Sequence, residues 1–226
     1  MKKLYIPLLI ALVTGVAACS DNADNCPDYW AVEQYDPTFI AEIDETNEAL
    51  SLQITNYSGL AGEVFQSYFT GEFDAIANFE NFTAPPATGT NGRGFIEMVM
   101  YNTNFPDTIL DTTAIRVGLS STHLYAGIGV VDYQEKARLS SATSGKLEIR
   151  KHGNNLTAIG IAGLDTVIIT KNAPMEPVRF GFRIGSISDS TVTGTVGVKI
   201  MQFNVVGNNA TTLYGDDFSC NSIYVP

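Results

Sequence analysis

The sequence predicts an all-β chain built as a two-sheet antiparallel sandwich, and three observations carry that expectation. Short runs of alternating apolar and polar residues recur, clusters of turn residues separate them, and no long stretch from Tyr29 onward has helical periodicity. Leu50-Ser51-Leu52-Gln53-Ile54 alternates first, and Ile115-Arg116-Val117-Gly118-Leu119 follows. In Val178-Arg179-Phe180-Gly181-Phe182-Arg183-Ile184 the period of two predicts a core face made of Val178, Phe180, Phe182 and Ile184. Thr195-Val196-Gly197-Val198-Lys199-Ile200 also alternates, then slips phase at Met201 before Phe203 and Val205 resume, as a β-bulge would require. Residues 85–92 and 152–155 are rich in Pro, Gly and Asn and read as turns. One apolar face per strand is what two packed sheets need. About a dozen strands and no internal repeat predict a single domain over residues 29–226.

The start of the chain carries a different signal. Lys2 and Lys3 precede an apolar run from Leu4 to Val16, and small residues follow. This is the layout of a secretory signal peptide, here residues 1–18. The run is shorter than the ~20 residues that a membrane span needs. Val16-Ala17-Ala18-Cys19 resembles the lipobox of bacterial lipoproteins, in which the cysteine is lipidated before cleavage. That resemblance implies lipidation at Cys19 and an outer-membrane lipoprotein. Cleavage by an ordinary signal peptidase after Ala18 would instead strand Cys19 as an odd thiol. Residues 19–28 then form a polar, acidic tether, resembling the acidic stretch that directs some Gram-negative lipoproteins to the cell surface. A solvated linker facing the periplasm is the alternative.

Composition excludes some partners. Cleavage after residue 18 would leave 208 residues with 11 basic and 24 acidic side chains, so the net charge moves from −11 to −13. An acidic surface repels phosphate backbones, and nucleic acid is not expected as a partner. With Cys19 acylated, Cys26 and Cys220 remain in an oxidising compartment, where one disulfide between them is expected.

Several segments resemble the concanavalin A-like lectin/glucanase superfamily of jelly rolls. Residues 69–79 look like an early strand of that fold, and residues 145–155 like its mid-domain hairpin with a Gly-Asn turn. Val178 to Ile184 followed by Gly194 to Val205 resembles its closing pair of strands. The resemblance implies a concanavalin A-like jelly roll whose first and last strands lie side by side, which suits a Cys26–Cys220 bridge.

Candidate chemistry is sparse. Glu42-Ile43-Asp44-Glu45-Thr46-Asn47-Glu48 invites comparison with the Glu-x-Asp-x-Glu strand of laminarinase-type glycosidases, but Thr46 occupies the third position. A solvated hairpin edge fits it better. His123 and His152 have no metal-ligand spacing, Asp216-Asp217 alone is a thin calcium set, and no cofactor motif is present. Trp30 reads as a core or edge plug. Five strand-borne residues could line the concave sheet of a lectin-like site: Glu97 and Tyr101, which share a face, with Arg116, Tyr125 and Arg183. In that arrangement the tyrosines stack on sugar rings and the charged groups bind hydroxyls.

These residues lead to a first expectation of a lipid-anchored, non-catalytic glycan-binding protein at the cell surface, favouring neutral glycans. A structural or adhesive partner in a surface protein complex is the second, and a glycoside hydrolase-like enzyme is the third.

Overall fold

The computed structural model describes residues 30–44, 46–86, 93–102, 114–129, 132–175, 178–187, 191–207, 212–218 and 223–224. Cys19, Cys26 and Cys220 lie outside these residues, as do the expected signal peptide at 1–18 and the expected tether at 19–28. Among the described residues there is no helix, and sixteen strands form two sheets.

The first sheet holds β1 (Trp30–Gln34), β4 (Leu60–Phe69), β6 (Arg93–Asn102), β7 (Ala114–Ser120), β8 (His123–Ile128), β9 (Gln134–Leu139), β13 (Val178–Ile187) and β16 (Ile223–Tyr224). Their order across the sheet is β16-β1-β4-β13-β6-β7-β8-β9. The second holds β2 (Ile40–Asp44), β3 (Ala49–Ser58), β5 (Phe73–Thr83), β10 (Gly145–His152), β11 (Asn155–Ala162), β12 (Asp165–Asn172), β14 (Thr191–Gly207) and β15 (Thr212–Asp216). Its order is β12-β11-β10-β5-β14-β3-β2, with β15 also paired to β14. All these pairings are antiparallel except that of β1 with β16, where Trp30 lies opposite Ile223. The first and last described strands are therefore neighbours, as the resemblance implied.

The count exceeds the expected dozen because β15, β16 and the edge strand β2 are short pieces without clean alternation. One expectation needs a finer correction. The segments at 178–184 and 194–205 do not pair with each other: β13 lies between β4 and β6, whereas β14 lies between β5 and β3. The chain crosses between the sheets at several connections, among them β3 to β4, β4 to β5, β5 to β6 and β13 to β14, whereas β6–β9 and β10–β12 run on as meanders within one layer. The two layers bury their apolar faces against each other.

Val178, Phe180, Phe182 and Ile184 are all buried, as their alternation predicts. Phe180 and Phe182 meet Phe203 of β14 at ring distances of 5.8 and 5.6 Å, joining the sheets through edge-on aromatic contacts. Trp30 is a core plug: its ring lies 5.6 Å from Phe182 and from Phe203, and its Nε1 donates to Asp216 Oδ2 at 2.6 Å. Asp216 also accepts from Tyr214 and the Phe218 amide, so it serves the core. The phase slip at Met201 is a register shift between Ile200 and Gln202 against β5. Gly153 and Asn154 make the tight β10–β11 turn, with Gly153 in the left-handed region at φ 58°.

Candidate functional site

Each strand of the first sheet that sends one set of side chains into the core sends the alternate set to the outer face. On β13 the outward set is Arg179, Gly181 and Arg183, and on β6 it includes Glu97 and Tyr101. Pairing register aligns these into a row crossing six strands: Glu33, Glu63, Arg183, Glu97, Gly118 and Tyr125. A neighbouring row brings Val99 beside Arg116, then Gly127 and Glu135. All five residues singled out from sequence thus share one face of one sheet.

The centre of the row is acid–base–acid. Arg183 Nε lies 3.5 Å from Glu97 Oε1 and 3.9 Å from Glu63 Oε2, and all three side chains are buried. Tyr101 donates to Glu63 Oε1 at 2.6 Å, and Tyr125 donates to Glu97 Oε2 at 3.0 Å. Two glycines make the room. Gly118 sits between Glu97 and Tyr125 in the row, so nothing stands between the phenol and the carboxylate. A Cβ at Gly181 would come within 3.0 Å of Glu63 Cδ and collide with its Oε1.

Burial sets the protonation of this network. It pushes the Glu63 carboxyl above the usual carboxylate range, against the opposing pull of Arg183 and the Tyr101 hydroxyl. Tyr101 and Tyr125 are raised by burial and next by their Glu63 and Glu97 neighbours, so both phenols stay protonated and act as donors. Three buried polar atoms here have no hydrogen-bond partner among the described residues: Glu63 Oε2, Arg183 Nε and Arg183 Nη2. Such orphans are costly, and a ligand hydroxyl could satisfy them.

Tyr101 and Tyr125 themselves offer little ring surface, each being 5% exposed. The Arg179 guanidinium covers Tyr101 at 4.6 Å. Among the described residues, the exposed aromatic rings of this face are two that sequence reasoning missed, Tyr35 at 49% and Tyr133 at 42% exposure. Tyr35 bonds Glu33 at the β1 end, and Tyr133 bonds Arg116 and Glu135 at the β7–β9 end. From β1 to β8 is five strand spacings of ~4.8 Å, which puts them roughly 24 Å apart, with the buried array between them. Glu63 was missed as well; its position opposite Arg183 appears only once β4 is paired.

The remaining sequence candidates resolve simply. Glu42 and Asp44 lie on β2, the edge of the second sheet, where Asp44 is held to about 2 by its hydrogen bond to Lys199. His123 bonds its neighbour Thr122, and His152 pairs with Asp74. Among the described residues no three His, Cys, Asp or Glu side chains converge as a metal site.

No protein-family model matches the sequence, and no curated protein is similar to it. Similarity to solved structures is found in the fold. A functionally unknown protein from Saccharomyces cerevisiae matches with a TM-score of 0.53 at 8% identity, over 79% of this chain and 96% of that one. The alginate lyase AlyC3 matches at 0.50 and 13% identity, over 75% of this chain and 78% of that one. The same lyase in complex with dimannuronate also gives 0.50, at 12% identity. What these structures share with this chain is the fold, here the two-sheet antiparallel β-sandwich that the sequence predicts.

Proposed function

We propose that this protein is a lipid-anchored, cell-surface glycan-binding protein that uses the outer face of its first sheet without cleaving its ligand. The observation that supports the reading best is the buried Glu63–Arg183–Glu97 row, ion-paired but with three polar atoms that make no hydrogen bond among the described residues, flanked by two exposed tyrosines. Tyr35 and Tyr133 would stack on apolar faces of sugar rings. Arg116, Glu97 and Arg183 would meet hydroxyls, with Tyr101 and Tyr125 holding the carboxylates in place. Arg183 is flanked by two acids, so the array gives no strong field for an anionic ligand and suits a neutral glycan. The separation of the tyrosines favours an extended oligosaccharide over a single ring.

Titration of neutral oligosaccharides into the wild-type protein and a Tyr35→Ala/Tyr133→Ala variant tests the reading. Micromolar-to-millimolar binding is expected, weakened at least tenfold by the double substitution. Absence of binding to any neutral glycan would remove the lectin reading. A mature native protein whose mass shows no acyl chains on Cys19 would remove the anchor.

A sugar-cleaving enzyme is the second reading, and one specific feature favours it: two carboxylates, Glu63 and Glu97, face each other across Arg183. Burial holds one of them towards its protonated form, as a general acid requires. Oligosaccharide shortening by the wild type that Glu97→Gln abolishes would select this reading over the first.

A further inference from the structure

The second sheet has a gap. On one side of β14 the pairing with β3 ends at Ile200–Leu50, and the pairing with β15 begins at Phe203–Asp216. Among the described residues, Met201 and Gln202 therefore have no strand paired beside them on that side. On the other side the register against β5 shifts at the same place, between Ile200 and Gln202. A cleft of about 480 Å³ opens there, within the roughly 300–1,000 Å³ usual for small-molecule sites. We propose that this cleft is a second saccharide site, independent of the first-sheet site and specific for neutral sugars of one or two rings.

Its polar groups are pre-positioned. Asn47 is fixed in the β2–β3 turn by bonds from its backbone amide and its Nδ2 to Asp44, the latter at 2.6 Å, and Asp44 is itself tied to Lys199 at 2.8 Å. That leaves the Asn47 side-chain carbonyl for a ligand. The next residue, Glu48, takes φ 48°, a left-handed conformation that is strained for a non-glycine residue. Asn78 Nδ2 donates to Gln202 Oε1 at 3.2 Å, which leaves an acceptor on Asn78 and donors on Gln202. The half-buried Met201 offers an apolar surface for the C–H face of a sugar ring.

The chemistry of the lining selects the ligand. Among the described residues Glu48, Glu80 and Asp217 line the cleft, and no Lys or Arg does. Carboxylates only accept hydrogen bonds, so the ligand must bring donors, and an anion such as a uronate would be repelled. Hydroxyls satisfy carboxylates and amides alike. The two sites would lie on opposite outer faces of the sandwich, letting one molecule contact two glycan chains and gain avidity from both.

The test is a nuclear magnetic resonance titration of the isotope-labelled protein with maltose, mannobiose and lactose, and with glucuronic acid and glucosamine as charged controls. At least one neutral disaccharide should shift the side-chain amide signals of Asn47, Asn78 and Gln202 saturably, with a millimolar midpoint, and glucuronic acid should not. Gln202→Ala should weaken that binding at least tenfold, whereas Tyr35→Ala/Tyr133→Ala should leave it unchanged. Gln202 is exposed, so its loss does not endanger folding. Failure of all three neutral sugars to move these signals, or binding of only a charged control, overturns the second site. Loss of binding in the tyrosine variant instead of the Gln202 variant assigns the affinity to the first sheet and also overturns it.

Discussion

Replacing Gly181 with alanine should destabilise the protein by about 3 kcal/mol, although the same change in open space would stabilise it. Gly181 is not among the residues with positive φ, so alanine is compatible with its backbone. Gly→Ala at a compatible site usually gains about 0.4–1 kcal/mol by restricting the unfolded chain. The added Cβ, however, collides with Glu63 Oε1 and stands 3.0 Å from Cδ and 3.1 Å from Cγ. Glu63 is fully buried on its strand, and its Oε1 is held by Tyr101. Displacing it breaks the Tyr101 hydrogen bond, worth about 1.5–3 kcal/mol for a charged group. It also disturbs the pairing with Arg183, and breaking a buried pair costs about 3–5 kcal/mol when a charge is left alone. Arg183 keeps Glu97 at 3.5 Å, which holds the sum near the lower end. For a domain of this size the melting temperature should fall by about 6–12 °C. The assay is urea and thermal unfolding of four proteins: wild type, Gly181→Ala, Glu63→Ala and the double variant. Once Glu63 is truncated the collision disappears, so Gly181→Ala should then cost little or nothing. A single Gly181→Ala variant as stable as wild type, or an equal cost in both backgrounds, would refute the reasoning.

Three further outcomes follow from the same contacts. Phe180 meets Phe69 at 5.6 Å and Phe73 at 5.4 Å, so Phe180→Asp should abolish cooperative unfolding, while Arg179→Ser on the opposite face should cost only about 1 kcal/mol; circular dichroism melts would count against the assignment if the two behaved alike. Because burial raises the Glu63 carboxyl, wild-type stability carried by its protonated form is present below the unfolded value of about 4.3 and is lost as pH rises through the folded value. Glu63→Gln cannot ionise, so its stability relative to wild type should climb between pH 4 and 8, and a flat or falling difference would contradict the direction of the shift. We propose that Cys26 and Cys220 are bonded, and thiol labelling of the exported protein should find both blocked; Cys26→Ser should lower stability by up to roughly 5 kcal/mol, the chain-entropy ceiling for so long a loop.

How much of this was legible in the sequence depended on what each strand buries. The β13 pattern could be read directly because every second residue from Val178 to Ile184 enters the core. On β4 the signal fades, since core-facing Gly62 has no side chain and the space is filled by Phe39 from another segment. Glu63 therefore looked like one acid within an unremarkable run. Period two was enough to put Glu97 and Tyr101 on one face, and pairing register then gathered Arg116, Tyr125 and Arg183 beside them. Depth was not legible. Outward-pointing side chains are normally wet, but here Tyr101 lies under Arg179, a neighbour that arrives from another strand. The exposed rings, Tyr35 and Tyr133, come from outside the alternating segments, where no periodic signal marks them.

The placement of β13 and β14 bears on the order in which the chain can fold. Both are made late, yet each occupies the middle of its sheet, β13 between β4 and β6 and β14 between β5 and β3. A nascent chain that stops before Val178 can form hairpins such as β10–β11, but each layer would be split into halves with open edges facing the vacancy. The β7–β9 and β10–β12 portions face each other and can begin to pack before then. The Phe180–Phe182–Phe203 centre that joins the layers forms only when the central strands arrive, so the full cooperative transition waits for nearly the whole polypeptide. Strand order thereby acts as a timer, postponing closure of both layers until the last strands have been synthesised.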